Sequence, residues 1–326
     1  MLKNKYLQHK ETIQNLIWRM LQVAGKQGVI FIIFLLCAKL LVPYDFGIYN
    51  YALAIVFLLV MFGDFGISTA TSKYVAEYNV KDKGKLKSVL FNSGIIIFGL
   101  TVVLTILTLL FGPTYLKEKY VYVLYLLPLV FLAPMTSLYD GVYRGLKRFK
   151  QLAVISLIVG IVSIFFVYYL IKQYGLMGAL ISQNVFYLVL LIGLGFGYRE
   201  FNFKVNRKVM SEIGKYSFTY GLAILGNYLF IRFGILILGH YGYIEEIALY
   251  ELINKVFMIL LLPFTLLGQV VAPNFSEFSA RKQTKKIYEK AMKYTFVFFF
   301  IGIALGLLFY FLLPFVFEIF FEEYFS

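Results

Sequence analysis

The sequence predicts an all-α protein that crosses a lipid bilayer about nine times. Of its 326 residues, 61% are hydrophobic and only 15% are charged, whereas soluble domains hold about 45–50% apolar and about 25% charged residues. The mean hydropathy of +0.80 agrees with this difference. Nine membrane helices of about 20–25 residues would hold about 200 residues, which accounts for nearly all of the hydrophobic content.

Nine apolar stretches are long enough to cross the bilayer and are separated by short loops. Because the loops are short, we expect no inserted soluble domain. The predicted spans cover approximately 15–42, 46–72, 88–112, 120–142, 152–171, 176–198, 216–239, 247–272 and 294–317.

The distribution of lysine and arginine predicts the orientation of these spans. With a cytoplasmic N-terminus, the predicted inner segments hold most of the basic residues, whereas the outer loops hold only Lys117, Lys119 and Lys172. Such a bias is typical of the positive-inside rule. The formal net charge of +14 is therefore mainly a topology signal that also favours anionic inner-leaflet lipid. We expect no binding to nucleic acid.

The residues that usually build metal and redox sites are scarce. The single cysteine, Cys37, lies in an apolar stretch, and the two histidines, His9 and His240, are far apart in the chain. This composition excludes a disulfide framework and argues against zinc or haem. No nucleotide-binding motif of the form G-x-x-x-x-G-K-[ST] occurs. We expect no metal, no cofactor and no catalytic residue.

The first predicted helix carries a polar stripe within its membrane-spanning part. Asn15, Arg19, Gln22 and Lys26 follow one another at i, i+4, i+7 and i+11, a spacing that places them on one face of a helix. Such a face is costly against lipid. It should therefore face the interior of a helix bundle or a water-filled cavity.

Further ionisable residues occur in other predicted spans, and each has a structural reading beside a functional one. Asp64 could neutralise Lys26 as a buried ion pair, and Glu251 precedes Lys255 by four residues, the favourable order for a helical salt bridge. Arg19 lies near a helix end, from which a long side chain can reach the interface. Arg232 has no acid within helical reach, so either another helix supplies its partner or it binds an anionic ligand.

Several short motifs, in their order along the chain, give the sequence a family resemblance. They comprise Phe46–Tyr49, Gly63–Ala70, Lys73–Glu77, Tyr143–Lys150, Tyr174–Ala179, Asn274–Ser276 and Phe320–Tyr324. This series resembles bacterial polysaccharide biosynthesis proteins, the Wzx-type lipid-linked oligosaccharide flippases of the multidrug/oligosaccharidyl-lipid/polysaccharide exporter superfamily. The resemblance covers nearly the whole chain.

The resemblance implies a two-lobed, MATE-like fold with an incomplete second lobe. The family usually has twelve or more helices in two lobes of six. Residues 1–205 would form the N-lobe with helices 1–6, and residues 206–326 a partial C-lobe with helices 7–9. We therefore expect a C-terminally truncated member of the family.

The resemblance also implies a function, which is alternating-access export of a polyprenyl-pyrophosphate-linked oligosaccharide rather than an enzymatic reaction. The expected location is a bacterial or archaeal cytoplasmic membrane, and the expected partners are the anionic glycan lipid, membrane lipids and other polysaccharide-assembly proteins. Asp64 and Glu251 are candidates for charge pairing or coupling. The candidate substrate-binding residues are Arg19, Gln22, Lys26, Arg232, Lys255, Asn227 and Asn254.

One departure from the family concerns the seventh helix. The family often has an acid shortly after the arginine of that helix, whereas Gly234 occupies this place here. A cation- or proton-linked role for this position is therefore not expected.

Other functions remain open at the level of sequence. A peptidoglycan-precursor flippase would need the same cationic cavity. A multidrug or cation antiporter of the same superfamily would need acids in its cavity, whereas the predicted spans hold more bases than acids. A membrane scaffold without transport activity is a further alternative. A glycosyltransferase is disfavoured because the acids predicted to lie outside the cell occur only in short segments.

Overall fold

The computed structural model describes residues 2–198, 202–255, 257–258, 261 and 283–321. These residues form helices joined by short turns, and no strand occurs among them. A 3-10 turn occupies Lys117–Lys119. The helices are α1 (Leu2–Leu40), α2 (Pro43–Asp64), α3 (Ile67–Lys81), α4 (Lys83–Leu116), α5 (Tyr120–Leu126), α6 (Leu129–Gly145), α7 (Phe149–Gly197), α8 (Arg207–Tyr241), α9 (described over 244–255) and α10 (Thr284–Phe321).

The predicted class, an all-α membrane protein, is confirmed. In the described part of the chain, six helical stretches are long and apolar enough to cross a membrane: Leu21–Leu40, Pro43–Lys81, Lys83–Leu126, Phe149–Gly197, Arg207–Tyr241 and Ile287–Leu312. The predicted span at 247–272 lies largely outside the described residues. The total of nine spans therefore stays a prediction.

The long helix α7 contains a reversal at Gly175. This residue has φ 54° and ψ −130°, a backbone conformation that side chains disfavour and glycine adopts readily. Gly178 then lies directly against the carbonyl of Leu170, and Gly193 lies against Ile155. These contacts show that the two halves of α7 are antiparallel. The reversal falls between the predicted spans 152–171 and 176–198.

A second break separates α2 from α3, inside the predicted span 46–72. Phe65 and Gly66 both adopt positive φ, 35° and 78°, which ends α2. The Asp64 carboxylate accepts hydrogen bonds from the Ser68 backbone N–H (2.9 Å) and the Ser68 hydroxyl (2.7 Å). One free N–H group in the first turn of α3 is thereby satisfied.

Three basic segments of the first unit, at 73–87, 144–150 and 202–215, lie together at one end of the helices, which we call the basic end. The Asn202 N–H donates to the Lys87 carbonyl (2.8 Å), and the Tyr78 hydroxyl donates to Glu212. At the opposite end, the Lys119 ammonium donates to the Gly239 carbonyl (2.6 Å). The side of the membrane that the basic end faces stays a prediction.

An apolar core lies towards the basic end and joins α3, α4, α6, α7 and α8. Tyr143 of α6 is fully buried at its centre, and its hydroxyl donates to the Leu194 carbonyl of α7 (3.0 Å). A buried tyrosine hydroxyl needs such a partner because an unsatisfied polar group in an apolar interior is costly. The bond therefore anchors α6 to the second half of α7.

The chain divides into two compact units, residues 1–247 and residues 248–326. Each unit is described by itself. The first holds α1 to α8 and the beginning of α9, and the second holds the rest of α9 and α10. The predicted lobe boundary at 205/206 stays a prediction.

Candidate functional site

Five polar side chains of the first unit form a group that we call the polar cluster. It consists of Gln22 of α1, Asp64 at the end of α2, Ser68 of α3, and Asp140 and Arg144 of α6. All five belong to helices or helix ends, so secondary structure fixes their backbones. Ionisable groups inside a membrane protein are functional candidates by default.

Asp140 is the centre of the cluster because it contacts both a cation and an amide. Its Oδ1 lies 2.6 Å from Arg144 Nε, one helical turn further along α6. This contact is an ion pair but not an aligned hydrogen bond, because the buried Nε of Arg144 has no hydrogen-bond partner. The other oxygen of Asp140, Oδ2, accepts a hydrogen bond from the Gln22 amide (3.4 Å). One carboxylate thus joins α1 to α6.

Gln22 is only 3% exposed, whereas its neighbour Leu21 is 48% exposed. The face of α1 that carries Gln22 packs on α7, where Gly25 lies against Leu157 and Val29 against Gly160. The polar stripe of α1 is therefore turned towards the protein at Gln22.

Close approach of α3 and α6 places the acids of the cluster near one another. Gly141 and Gly145 form a G-x-x-x-G pair on α6, a spacing that lets helix backbones approach closely in membranes. Gly141 lies against the Ser68 carbonyl, and a Cβ on Gly145 would lie 2.6 Å from the Ser72 carbonyl oxygen. Residues 140 and 144 each precede one of these glycines, so the contact fixes where their side chains begin.

The described part of the cluster holds two carboxylates and one guanidinium. Asp64 directs both oxygens at Ser68, and the positive charge of Arg144 also acts on Asp64. The side chains of Asp140 and Arg144 are 21% and 29% exposed. The ion pair is therefore partly exposed and is not sealed in the core.

For two predicted site residues on α1, the structure describes the backbone but not the side chain. Arg19 precedes Gln22 by three positions and Lys26 follows it by four, and the backbone of both belongs to α1. The structure therefore does not test whether Lys26 pairs with Asp64. It does show that Asp64 is hydrogen-bonded to Ser68.

Two further predicted residues lie on α8. Arg232 is partly buried and shares a helix face with Tyr228 and Gly239. Both of these contact α2, since the Tyr228 hydroxyl donates to the Ala54 carbonyl (2.7 Å) and Gly239 lies against the Tyr51 ring. Arg232 thus lies on the α8 face that meets α2, whereas Asn227 is exposed on another face.

The remaining predicted residues lie on α9 in the second unit. Glu251 is 2% exposed, and Asn254 and Lys255 are partly buried. Because the two units are described separately, the membership of these three residues in one site with α1 stays a prediction.

Asp140 was not predicted as a site residue, and Arg144 falls outside the predicted span 120–142. A signal was present, since an acid followed by a base four residues later is typical of a helical ion pair. Both residues lie at or just beyond the end of the predicted span 120–142. Among the described residues, no group of three His, Cys, Asp or Glu side chains could hold a metal ion.

Comparisons with known proteins agree with the fold and decide the family. The sequence profile of the polysaccharide biosynthesis protein family matches residues 12–279. The chain belongs to this family. The predicted resemblance is therefore confirmed at the level of the family. No functionally curated protein shows significant sequence similarity to the chain.

Solved structures of MATE transporters share the fold of this polysaccharide biosynthesis protein. An inward-facing multidrug resistance MATE transporter of the MOP superfamily is 14% identical, with a TM-score of 0.76 over 91% of this chain and 74% of that one. An outward-facing structure of such a transporter is 17% identical, with a TM-score of 0.64 over 92% of this chain and 71% of that one. A MATE protein in complex with Br-NRF is 16% identical, with a TM-score of 0.62 over 91% of this chain and 73% of that one. The predicted MATE-like fold is confirmed.

Proposed function

We propose that the protein exports a polyprenyl-pyrophosphate-linked oligosaccharide across a bacterial or archaeal cytoplasmic membrane by alternating access. The observation that carries the proposal is the burial of Gln22 in the middle of the α1 stripe. A stripe turned towards the bundle can line a polar path through the membrane, whereas one turned towards lipid cannot. Arg19 and Lys26 belong to the same stripe and would supply the cations.

In this mechanism, the cations bind the pyrophosphate and the neutral polar residues bind the sugars. Arg19 and Lys26 of α1, with Arg232 of α8, would make charge-assisted contacts to the phosphate oxygens. The exposed amide of Asn227 would hydrogen-bond to the glycan. The polyprenyl chain would remain in lipid beside the helices.

The proposed electrostatics favour an anionic substrate. The polar cluster adds one acid, Asp140, and one base, Arg144, to the residues considered from the sequence, so the excess of bases is unchanged. A cell interior that is negative by about 100 mV favours outward movement of each negative charge by about 2.3 kcal/mol. A pyrophosphate with two charges would gain about 4–5 kcal/mol if it crossed the whole field.

Alternating access is supported by the kind of fold. MATE transporters with this fold have inward-facing and outward-facing conformations, and rocking of helix bundles around a central site is a common transport mechanism. We propose that residues 1–205 move as one lobe, with the N-terminus on the cytoplasmic side.

A cation antiporter is the second candidate, and the observation that favours it is the pair of carboxylates Asp64 and Asp140 in one cluster. A cationic substrate would be attracted to such acids. Asp140, however, is already neutralised by Arg144, and Asp64 is hydrogen-bonded to Ser68. A peptidoglycan-precursor flippase would share the proposed site and differ only in the glycan.

The test is a transport assay in proteoliposomes that contain the purified protein. One set of vesicles receives a fluorescent polyprenyl-pyrophosphate oligosaccharide, and its movement is followed by protection from an added glycosidase. A matched set receives a cationic dye with an opposing proton gradient. We expect movement of the glycan lipid well above protein-free vesicles and no dye exchange. Dye exchange without glycan movement would overturn the proposal in favour of an antiporter.

A further inference from the structure

An apolar groove runs between α4 and α6 in the first unit. We call it the α4–α6 groove; its volume is about 440 Å³, a size that suits small-molecule ligands. Its lining is apolar and aromatic and includes Leu90, Phe91, Phe98, Phe131, Met135 and Phe203.

Two aromatic pairs bound the groove along α4. Phe91 meets Phe203 edge-on at one end (ring centroids 5.3 Å apart), and Phe98 meets Phe131 at the other (6.1 Å). Phe91 and Phe98 are seven positions apart, which corresponds to about 10 Å of helix. Phe98 is 58% exposed and Val102, one turn further along α4, is 39% exposed. The groove therefore opens on a face of α4 that contacts lipid in a membrane.

The segment 202–206 closes the groove at the basic end and is held there by α4. The Asn202 N–H donates to the Lys87 carbonyl. The buried Asn92 side chain donates to the Lys204 carbonyl (3.1 Å) and accepts from the Asn206 N–H (2.8 Å). These bonds fix an exposed stretch of chain in a defined position beside the groove.

This segment combines exposed apolar and basic side chains. Phe203 is 72% exposed and Val205 is 56% exposed, although both occur between polar residues. Lys87, Lys204 and Arg207 are exposed around them. Aromatic side chains next to lysine and arginine are typical of the membrane interface, where basic residues attract anionic lipid.

We propose that the α4–α6 groove binds one anionic phospholipid of the leaflet at the basic end. One acyl chain lies in the groove between the two aromatic pairs. The phosphate and its headgroup lie against the side chains of Lys87, Lys204 and Arg207. The charge of these residues selects an anionic over a zwitterionic lipid, and the depth of the groove distinguishes a bound lipid from the general lipid shell.

Two variants test the two halves of the site separately. Lys87→Ala/Lys204→Ala removes the charges but keeps the segment in place, because both lysines hold it through their backbone carbonyls. Gly94→Leu fills the groove. A Cβ on Gly94 would meet only Leu138 and Met135, each at 3.9 Å, so the added side chain has room. Lys290→Ala/Lys293→Ala is the matched control, because both lysines are exposed on α10.

The measurement is native mass spectrometry of the full chain with phosphatidylglycerol or phosphatidylcholine of identical acyl chains. We expect one phosphatidylglycerol bound in preference to phosphatidylcholine by the wild type and by the control. Each lysine near a lipid surface contributes a factor of about five, so the double lysine variant should lose about 30-fold in affinity for phosphatidylglycerol. Gly94→Leu should weaken the binding of both lipids.

Three outcomes would overturn the proposal. The first is equal binding of the two lipids by the wild type, which indicates a general lipid shell. The second is unchanged phosphatidylglycerol binding in both the lysine and the Gly94→Leu variants. The third is displacement of phosphatidylglycerol by polyprenyl phosphate at equal concentration together with loss of glycan transport in Gly94→Leu, which would assign the groove to the chain of the transported lipid.

Discussion

The hydroxyl of Tyr78 on α3 donates a hydrogen bond to the carboxylate of Glu212 on α8. This bond is the outermost in a series of contacts between two antiparallel helices. One turn inwards, the rings of Tyr74 and Tyr216 meet edge-on at 6.2 Å. At the break between α2 and α3, a Cβ on Gly66 would lie 2.9 Å from the Gly221 nitrogen.

The α3–α8 contacts close the basic end along a seam that crosses the proposed lobe boundary at 205/206. Alternating access requires such a seam to open and close. Tyr78→Phe removes the outermost bond, and we expect a loss of about 1 kcal/mol of stability and a larger separation of the two helices. Spin labels at Lys81→Cys and Lys208→Cys in a Cys37→Ser background would measure the distance.

The control for the seam is Lys81→Ala, in a separate sample without the labels. Lys81 forms an exposed salt bridge with Glu77 on the same helix (2.9 Å), and such pairs contribute at most about 0.5 kcal/mol. We expect little change in stability. An unchanged distance distribution in Tyr78→Phe would show that this bond does not hold the seam.

The glycines of α6 should be far less tolerant of substitution than glycines elsewhere. Gly141→Ala would drive a methyl group into the Ser68 carbonyl, and overpacking of this kind costs about 1–3 kcal/mol. At Gly214 of α8 no atom lies within 4 Å of an added Cβ, so Gly214→Ala should stabilise the helix by about 0.5–1 kcal/mol. Thermal unfolding in detergent would compare the two, and equal effects would contradict the close α3–α6 contact.

Asp140 and Arg144 should contribute to stability jointly and not independently. Asp140→Asn leaves the Arg144 guanidinium without its counter-charge and also changes the acceptor for Gln22. We expect Asp140→Asn and Arg144→Gln each to destabilise the protein, with a coupling energy of about 1 kcal/mol in the double variant, because the pair is partly exposed. A double-mutant cycle by thermal unfolding measures this coupling, and strictly additive effects would show that the pair contributes nothing.

The reversal in α7 should depend on glycine through the backbone alone. At Gly175 no atom lies within 4 Å of an added Cβ, yet φ is +54°, so Gly175→Ala should cost about 1–3 kcal/mol through strain. Gly226→Ala on α8 also meets open space but has helical backbone. The unfolding temperatures of the two variants should therefore differ in direction. A stable Gly175→Ala protein would contradict the reversal.

Hydropathy and charge were sufficient to predict the class of the fold and several helix boundaries. The gap between the predicted spans 152–171 and 176–198 contains Gly175, where the chain reverses. The break at Phe65 and Gly66 was not predicted. The apolar pattern continues through it, and nothing in the sequence indicates that Phe65 adopts a positive φ. It depends on Asp64 and on close contact with Gly221.

The site was only partly predictable for a related physical reason. The spacing of Arg19, Gln22 and Lys26 indicated one face of α1, and that face could be recognised from helix geometry alone. The partner of Gln22 could not, because Asp140 lies 118 residues away in the sequence and is brought near by helix packing. Gly141 and Gly145 of α6 allow that packing, and no local sequence pattern indicates that they pack against α3.

The proposal that the α1 cations bind the transported glycan lipid is best tested by measuring transport in a variant without them. Arg19→Ala/Lys26→Ala and the control Lys290→Ala/Lys293→Ala remove the same charge, and insertion and folding of both are checked by detergent-soluble yield and thermal unfolding. Charge-assisted contacts contribute about 1.5–3 kcal/mol each. We expect that the stripe variant folds but loses glycan-lipid transport by at least about tenfold, whereas the control retains it. Undiminished transport by a folded Arg19→Ala/Lys26→Ala protein would contradict the account and leave both residues with a structural role.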